Sequence, residues 1–203
     1  MLAVLAVVSL ALPAQTADYF PLKPGLEWEY RVAVGRFQAE FRQVHRILEA
    51  VEIEGKSVTP MEVLVNGEIS GVTYYAVHDG FVHLMATEPD ALLAVPVPVV
   101  PMEPKRGQKW EFKGPTPFLG SMARAVVKSR VAGFMKAKVI GEEMEVLKVV
   151  TESQLGEGKL SYKIRTTELY ARGIGMVYTK KEVLRKNGGV AEFTLTRFKG
   201  DAP

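Results

Sequence analysis

Two short stretches of the chain, Gly25–Tyr30 and Gly107–Phe112, share one pattern: a glycine, two residues, a tryptophan, one residue and an aromatic residue. They contain the only two tryptophans of the sequence, Trp28 and Trp110, and every matched pair of residues is 82 positions apart. A pattern repeated in this way predicts a tandem duplication organised around two equivalent strands. We expect both tryptophans to occupy equivalent interior positions, where a large aromatic residue of a strand is commonly found.

Further matches follow in the same order in both halves. The segment Met61–Leu64 resembles Met144–Leu147, and Tyr75–Val82 resembles Tyr170–Val177. The offset grows from 83 to 95 residues between these two pairs, so the second half contains an insertion. We place this insertion in a loop around Ser153–Lys159, where two glycines indicate irregular chain.

The duplication divides the chain into a first β repeat over residues 18–90, a connector over residues 91–104 and a second β repeat over residues 105–203. Prolines at close spacing exclude the connector from a central strand, and its apolar side chains predict that it lies against the body of the protein. A single meander cannot bury its apolar face alone, so the two repeats are expected to form one globular unit.

The residues from Leu26 to Val34 largely alternate between apolar and other side chains, the period-two pattern of a strand with one buried face. Similar short runs recur along the chain between turn dipeptides such as Asn66-Gly67 and Asp79-Gly80. The sequence therefore predicts an all-β fold with little helix. Its expected form is an antiparallel meander from a tandem duplication, shaped as a curved sheet or as an open or half barrel.

The segment Phe37–Ile53 is compatible with two structures. Its apolar residues form a helical stripe if read at intervals of three and four, and they also share one face of a strand. We predict a strand, because Glu54-Gly55-Lys56 forms a plausible hairpin turn and the matching segment Ala123–Val127 is short and favours β structure.

Residues 1–17 have the pattern of a signal peptide. An apolar run reaches Leu12 and is followed by a proline and small residues, and the first charge is Asp18. The run is shorter than the roughly 20 residues that cross a bilayer. We therefore predict export to the bacterial periplasm or the exterior, with no transmembrane span in the mature chain. The sequence contains no cysteine, which excludes disulfides, thiol nucleophiles and a lipid-modified cysteine.

The charge pattern argues against a nucleic-acid partner. The formal net charge is +3, with 26 basic and 23 acidic residues interleaved along the chain. Lys136 and Lys138 alternate with apolar residues, an arrangement typical of a protected sheet edge.

No enzyme signature is present in the sequence. His78 and His83 flank the Asp79-Gly80 turn and are expected to be diagonal neighbours on one face of a hairpin, but a metal site would need a further ligand. Gly120–Arg124 lacks the second glycine of a serine nucleophile elbow, and Arg172–Val177 is expected to be a turn before a strand. We therefore predict no catalytic, cofactor-binding or metal-binding residues and no cofactor.

The stretches Tyr19–Tyr30 and Leu169–Val177 resemble those of a loose group of uncharacterised exported bacterial proteins. That group typically opens with Phe-Pro-Leu-x-x-Gly-x-x-Trp-x-Tyr and later carries a Tyr-Ala-x-Gly-Val-Gly-x-Val turn. Here Arg172 stands where proline is frequent in the group, and Ile174 stands in place of valine. The resemblance implies export and β architecture, and it implies no activity.

Two functional hypotheses follow from these features. The first is a non-enzymatic exported envelope protein that binds an apolar or lipid-like ligand in the concavity of a curved sheet. The second is an interaction or scaffold module that docks another envelope protein through a sheet edge or an outer face. The sequence identifies neither the ligand nor the partner.

Overall fold

A computed structural model describes residues 18–35, 39–118, 121–156, 161–185 and 188–200. Within these ranges the protein is all β, as the sequence predicts, and it contains no helix. It follows that no helix of the described residues is long and apolar enough to cross a membrane.

The described residues form thirteen strands. In chain order they are β1 (Glu27–Val34), β2 (Ala39–Ile47), β3 (Val51–Ile53), β4 (Lys56–Val65), β5 (Glu68–His78), β6 (Phe81–Ala86), β7 (Val97–Pro101), β8 (Lys109–Phe118), β9 (Ser121–Val139), β10 (Glu142–Leu155), β11 (Tyr162–Ala171), β12 (Gly175–Val183) and β13 (Val190–Lys199). The ambiguous segment after Phe37 is therefore a pair of strands, β2 and β3, and the strand prediction is confirmed.

Two-residue turns set the register of the hairpins. The turns Glu54-Gly55, Asn66-Gly67 and Asp79-Gly80 each join paired strands and have positive φ at both residues, as the sequence predicts. A fourth turn of this kind, Ile140-Gly141, joins β9 to β10, and Ile140 has a φ of 48°. A β-branched residue is strained in this left-handed region, which explains why the sequence gives no signal for this turn.

The strands form one antiparallel sheet in the order β7-β6-β5-β4-β2-β1-β13-β12-β11-β10-β9-β8, with β3 paired beside it to β4. The first strand of the chain, β1, pairs with the last, β13, along its whole length. Each strand otherwise pairs mainly with its neighbours in sequence, so the sheet curls into a nearly closed barrel whose two free ends are β7 and β8.

The two halves of the chain follow the same strand order. Trp28 and Trp110 lie on the first strand of each half, and the matched Tyr75 and Tyr170 lie on β5 and β11. A β-bulge immediately precedes Tyr75 in its pairing with β6, and another immediately precedes Tyr170 in its pairing with β12. This correspondence is what a tandem duplication would produce, and the duplication itself stays a prediction.

Side chains join the two free ends of the sheet. Trp110 on β8 donates a hydrogen bond from its Nε1 to the carbonyl oxygen of Pro98 on β7, at 3.3 Å. The ring of Trp110 also lies against Phe81 of β6, with 5.6 Å between ring centroids. Trp110 is half-buried and Trp28 is buried, so the two tryptophans differ in exposure.

The connector predicted over residues 91–104 contains a strand that the sequence analysis did not predict. Val97–Pro101 forms β7, which pairs with β6 at the edge of the sheet, a position where strand prolines are tolerated. The signal peptide predicted over residues 1–17 lies outside the described residues, as do residues 157–160 of the predicted loop.

The main core fills the inside of the curled sheet. Trp28, Tyr30 and Val32 of β1 point inward and are almost fully buried, while Glu27 and Glu29 point outward and pair with Arg46 and Arg42 of β2. Inward residues of both halves belong to the same apolar cluster, for example Ile47 and Val177. The main core is therefore shared by the two halves of the chain.

We expect the Ile140→Asn variant to be more stable than the wild type by about 1 kcal/mol, because asparagine tolerates the left-handed conformation. The reciprocal Asn66→Ile variant, in a turn of the same type, should lose a similar free energy. Urea unfolding of both variants tests this expectation. An Ile140→Asn variant that is less stable than the wild type would show that the apolar contacts of Ile140 outweigh its strain.

Candidate functional site

A cavity of about 180 Å³ lies inside the curled sheet, between the two halves of the chain. Its wall combines apolar and ionisable side chains from β1, β2, β4, β5, β7, β11 and β12. The lining residues are Phe20, Pro21, Trp28, Tyr30, His45, Met61, Tyr75, Val99, Glu168, Tyr170, Gly175, Met176 and Lys181. We refer to this space as the interior cavity.

The two stretches that carry the resemblance to exported bacterial proteins meet at the interior cavity. Phe20, Pro21, Trp28 and Tyr30 come from the first stretch, and Tyr170 and Gly175 are among the contributions of the second. These stretches are far apart in sequence, so the fold brings them together. Residues of both stretches therefore line the interior cavity.

The segment before β1 closes one side of the interior cavity. Phe20 packs on Tyr75 with 4.9 Å between ring centroids. Asp18 anchors the start of the segment, since its carbonyl oxygen accepts a hydrogen bond from the Gly173 amide and its carboxylate pairs with Arg172 at 2.7 Å. The segment before β1 is thus a wall of the interior cavity.

The position of Gly175 requires a glycine, because Pro21 and Trp28 approach its backbone closely. Its φ is 97°, and a Cβ built on it would lie 3.2 Å from the Cδ of Pro21 and 3.5 Å from the ring of Trp28. Only glycine combines this conformation with such a close approach. The turn Arg172–Gly175 is therefore a structural turn before β12, as the sequence predicts.

Two hydrogen bonds tie the first motif to β12 and its preceding turn. The Trp28 Nε1 donates to the carbonyl oxygen of Ile174, and the Tyr30 hydroxyl donates to the carbonyl oxygen of Met176 at 2.8 Å. Burial raises the pKa of the Tyr30 hydroxyl far above its usual range, and the nearby Glu168 acts in the same direction. Tyr30 is therefore a neutral donor at any physiological pH.

His45 faces the same interior from β2. Its Nε2 lies 2.7 Å from the Nε2 of Gln43, and its ring lies 4.9 Å from that of Tyr30. Burial, together with the positive charge of Lys181, lowers the pKa of His45 to about 4. At neutral pH the imidazole is therefore uncharged.

Glu168 is the carboxylic acid that lines the interior cavity. Burial raises the pKa of its carboxyl group, whereas the positive charge of Lys181 and a hydrogen bond donated by the Tyr170 hydroxyl lower it. The carboxyl is enclosed by the sheet, and the part of Glu168 that stays accessible faces the cavity. A buried carboxyl beside a tyrosine in a concave space is a candidate binding or catalytic group.

Lys181 connects the interior cavity to solvent. It lines the cavity, yet the residue as a whole is exposed, so the mouth of the cavity lies beside it. Its Nζ is positioned over the ring of Phe193, 5.6 Å from the centroid. The cavity thus has a cationic side chain at its mouth and an acidic side chain within.

Thr179 lies opposite Glu168 in the pairing of β11 with β12. The residue is 2% exposed, and its Oγ1 has no hydrogen-bond partner among the described residues. An unpaired buried hydroxyl is costly unless a water or a ligand satisfies it.

The two histidines singled out in the sequence lie elsewhere, on the β5–β6 hairpin. The rings of His78 and His83 are 5.8 Å apart, so the structure brings them together as predicted. His78 is paired with Asp79 in the exposed turn, at 3.0 Å. Among the described residues there is no group of three His, Cys, Asp or Glu side chains that could hold a metal ion.

A second concave surface lies on the outside of the sheet. It spans about 810 Å³ and is open to solvent across β8, β9, β10 and β11. Five of its lining residues are basic and two are acidic: Lys109, Lys128, Arg130, Lys148 and Arg165, with Glu111 and Glu152. Arg165 and Glu152 neutralise each other at 2.9 Å, and we refer to the whole as the basic groove.

None of the ionisable residues of the interior cavity is predicted from the sequence to be functional. Glu168 is one of many glutamates on alternating strands, and alternation alone does not say which face is inward. The sequence does contain one signal. Tyr170 is the residue that matches Tyr75, and Glu168 lies two positions before Tyr170, so both side chains are on the same face of the strand. His45 lies opposite Trp28 in the register of β1 and β2, which sequence reasoning did not fix.

Comparison with protein-family models found no match, and no curated protein matches the chain. The fold is similar to that of a candidate exported protein with a YmcC-like fold from Bacteroides fragilis NCTC 9343, with 17% identity and a TM-score of 0.55 over 91% of this chain and 100% of that one. It is also similar to a candidate lipoprotein from Parabacteroides distasonis ATCC 8503, with 12% identity and a TM-score of 0.53 over 91% of this chain and 99% of that one. At these identities the similarity shows the fold alone.

We expect His45 to make the protein less stable in acid. Its folded-state pKa of about 4 lies below the value near 6.5 of an unfolded chain, so its contribution is complete above about pH 6.5 and is lost as pH falls toward 4. Between pH 7 and pH 5 the wild type should lose about 2 kcal/mol more than His45→Gln does. Glu168, whose pKa is raised, acts in the opposite direction but is present in both proteins. Urea unfolding at both pH values measures the difference, and equal losses would contradict it.

Proposed function

We propose that this protein is a non-enzymatic exported protein of the bacterial envelope that binds a small molecule in the interior cavity. The observation that carries the proposal is a concave space between the two halves, lined by aromatic and ionisable side chains. Export is supported by the pattern of residues 1–17 and by the descriptions of the proteins that share the fold.

The size of the interior cavity limits the ligand. A space of about 180 Å³ is comparable to cavities that accept a benzene-sized molecule. It is too small for a complete fatty acyl chain, so the lipid-like ligand considered from the sequence is narrowed to a compact group. Apolar lining residues such as Met61 and Met176 favour an apolar body, and Glu168 and Tyr170 favour a polar group on it.

The hydrogen bonds in the interior cavity favour binding over catalysis. The hydroxyl proton of Tyr30 is already donated to a backbone carbonyl, and His45 is bonded to Gln43. Burial also raises the pKa of Tyr75 and of Tyr170, so both phenols stay neutral at physiological pH. Groups held in fixed hydrogen bonds and far from neutral pKa values are suited to recognition, whereas acid–base catalysts need a pKa close to the working pH.

A second candidate function rests on the basic groove. An outer face with five basic and two acidic residues offers charge complementarity to an acidic partner. Lys148 is half-buried at the floor of this groove, while Lys128 and Arg130 are exposed on its wall. This arrangement favours an interaction module that docks an acidic surface of another envelope protein.

Filling the interior cavity should abolish ligand binding. Val99 lines the cavity, so Val99→Phe should exclude the ligand, whereas Val95→Phe changes an exposed residue outside it. Native mass spectrometry of protein purified from its native host should detect a bound molecule of about ten non-hydrogen atoms or fewer on the wild type and on Val95→Phe only. An empty wild-type protein, or equal occupancy of the two variants, would overturn the proposal.

Reversing charges in the basic groove should weaken binding to an acidic polymer. We expect the double variant Lys128→Glu and Arg130→Glu to bind poly-L-glutamate at least about tenfold more weakly than the wild type does, and the wild-type affinity to fall with salt. The matched control reverses Lys136 and Lys138 of the same strand, which lie outside the groove. If calorimetry shows that both double variants lose the same affinity, the binding depends on overall charge, and the basic groove is excluded as the binding site.

A further inference from the structure

Glu168 gives the interior cavity a charge preference. We infer that the cavity takes a small organic cation, an ammonium group bearing alkyl substituents, held between the Glu168 carboxylate and a cage of aromatic rings. This inference rests on the proposed function, since it names the class of ligand for the same cavity. It is carried by the arrangement of the lining side chains.

Aromatic rings surround the cavity on several sides. Phe20 comes from the segment before β1, Trp28 and Tyr30 from β1, Tyr75 from β5 and Tyr170 from β11. In a space of this size a bound ammonium lies within about 6 Å of several ring faces, the range over which cation–π attraction acts. An aromatic cage with an acidic side chain is a chemistry suited to alkylated ammonium groups.

Three hydrogen-bond donors of the wall are already paired within the protein. The Trp28 N–H and the Tyr30 hydroxyl are donated to the carbonyl oxygens of Ile174 and Met176. The Tyr170 hydroxyl is donated to Glu168, which stabilises the carboxylate form. The remaining lone pairs of Glu168 face the cavity, and a carboxylate accepts hydrogen bonds and attracts cations.

Lys181 is the cationic side chain among the residues that line the cavity. Its charge acts on Glu168, while its ammonium lies over the ring of Phe193 and the residue as a whole is exposed. His45 is neutral at physiological pH. A bound organic cation therefore shares Glu168 with Lys181, and the aromatic rings of the wall add cation–π attraction to that of the carboxylate.

Three probes of similar size and different charge test the inference. Tetramethylammonium is the cation, neopentyl alcohol its neutral counterpart and pivalate its anionic counterpart. In a Trp110→Phe background the remaining tryptophan, Trp28, lines the cavity and reports binding by fluorescence, with calorimetry on the wild type as the second measurement. We expect tetramethylammonium to bind roughly 10- to 100-fold more tightly than neopentyl alcohol.

The Glu168→Gln variant separates charge from shape. It should lose roughly 10-fold or more of the tetramethylammonium affinity and keep that for neopentyl alcohol, which also shows that the cavity is intact. Glu68→Gln removes one negative charge from an exposed position on the β4–β5 hairpin and should bind like the wild type. Equal losses in the two variants would assign the effect to net charge and overturn the inference.

The pH dependence provides an independent readout. Glu168 faces Lys181 from β12, Tyr170 from β11, Tyr75 from β5, and Tyr30 and His45 from β1 and β2. Burial raises the pKa of Glu168 and of the three phenols, and burial together with the charge of Lys181 lowers the pKa of His45 to about 4. Tetramethylammonium affinity should fall as pH falls through the Glu168 pKa, and it should stay constant in Glu168→Gln.

The remaining outcomes discriminate between this inference and the proposed function. Binding of neopentyl alcohol as tightly as tetramethylammonium overturns the preference for a cation and leaves small-molecule binding in place. Tightest binding of pivalate assigns recognition to Lys181 at the mouth and overturns the inference. If none of the three probes binds at millimolar concentration, both the cation inference and the proposed small-molecule binding are overturned.

Discussion

The pairing of the first strand with the last is the constraint on which the rest of the structure depends. A meander of short strands cannot hide its apolar face while it is flat, and curling it brings β1 beside β13. The resulting ladder seals one side of the sheet with backbone hydrogen bonds. Trp28 and Tyr30 strengthen this closure, because they reach across the interior to the carbonyl oxygens of Ile174 and Met176. The same two side chains then form part of the cavity wall, so closure and cavity are one arrangement.

The opposite side of the sheet is closed differently. β7 and β8 are adjacent in sequence but are the two ends of the strand order, and Trp110 bridges them through its indole N–H and its contact with Phe81. Two prolines in β7 remove backbone donors from that strand, which limits it to an edge. The sheet is therefore asymmetric, although its two halves share one strand order. Backbone pairing closes the side of β1 and β13, and side chains bridge the side of β7 and β8.

Local chemistry explains how much of this could be predicted from sequence. Asn66-Gly67 and Asp79-Gly80 determine their own turns, and alternation determines the strands beside them, so the all-β meander was predictable. β7 was missed because its prolines indicate irregular chain, and the Ile140 turn was missed because isoleucine is strained there. The cavity was missed for another reason. Glu168, His45 and Lys181 come together only through the closure of the sheet, and apart from the position of Glu168 two residues before Tyr170 their local sequence resembles that of solvated residues of a strand.

A comparison of the two halves shows that the strand pairing does not require ionisable groups in the interior. Opposite Trp110 in its strand pair stands Ser129, where His45 stands opposite Trp28. Two residues before Tyr75 stands Thr73, where Glu168 stands before Tyr170. Ser129 is hydrogen-bonded to Thr151 and Thr73 to the Met61 carbonyl oxygen, so in each half a small hydroxyl satisfies one of these two positions locally. A carboxyl and an imidazole at the corresponding positions cost folding free energy, because burial disfavours their charged forms. The same strand pairing thus accepts either kind of side chain, and the ionisable one is the more costly of the two.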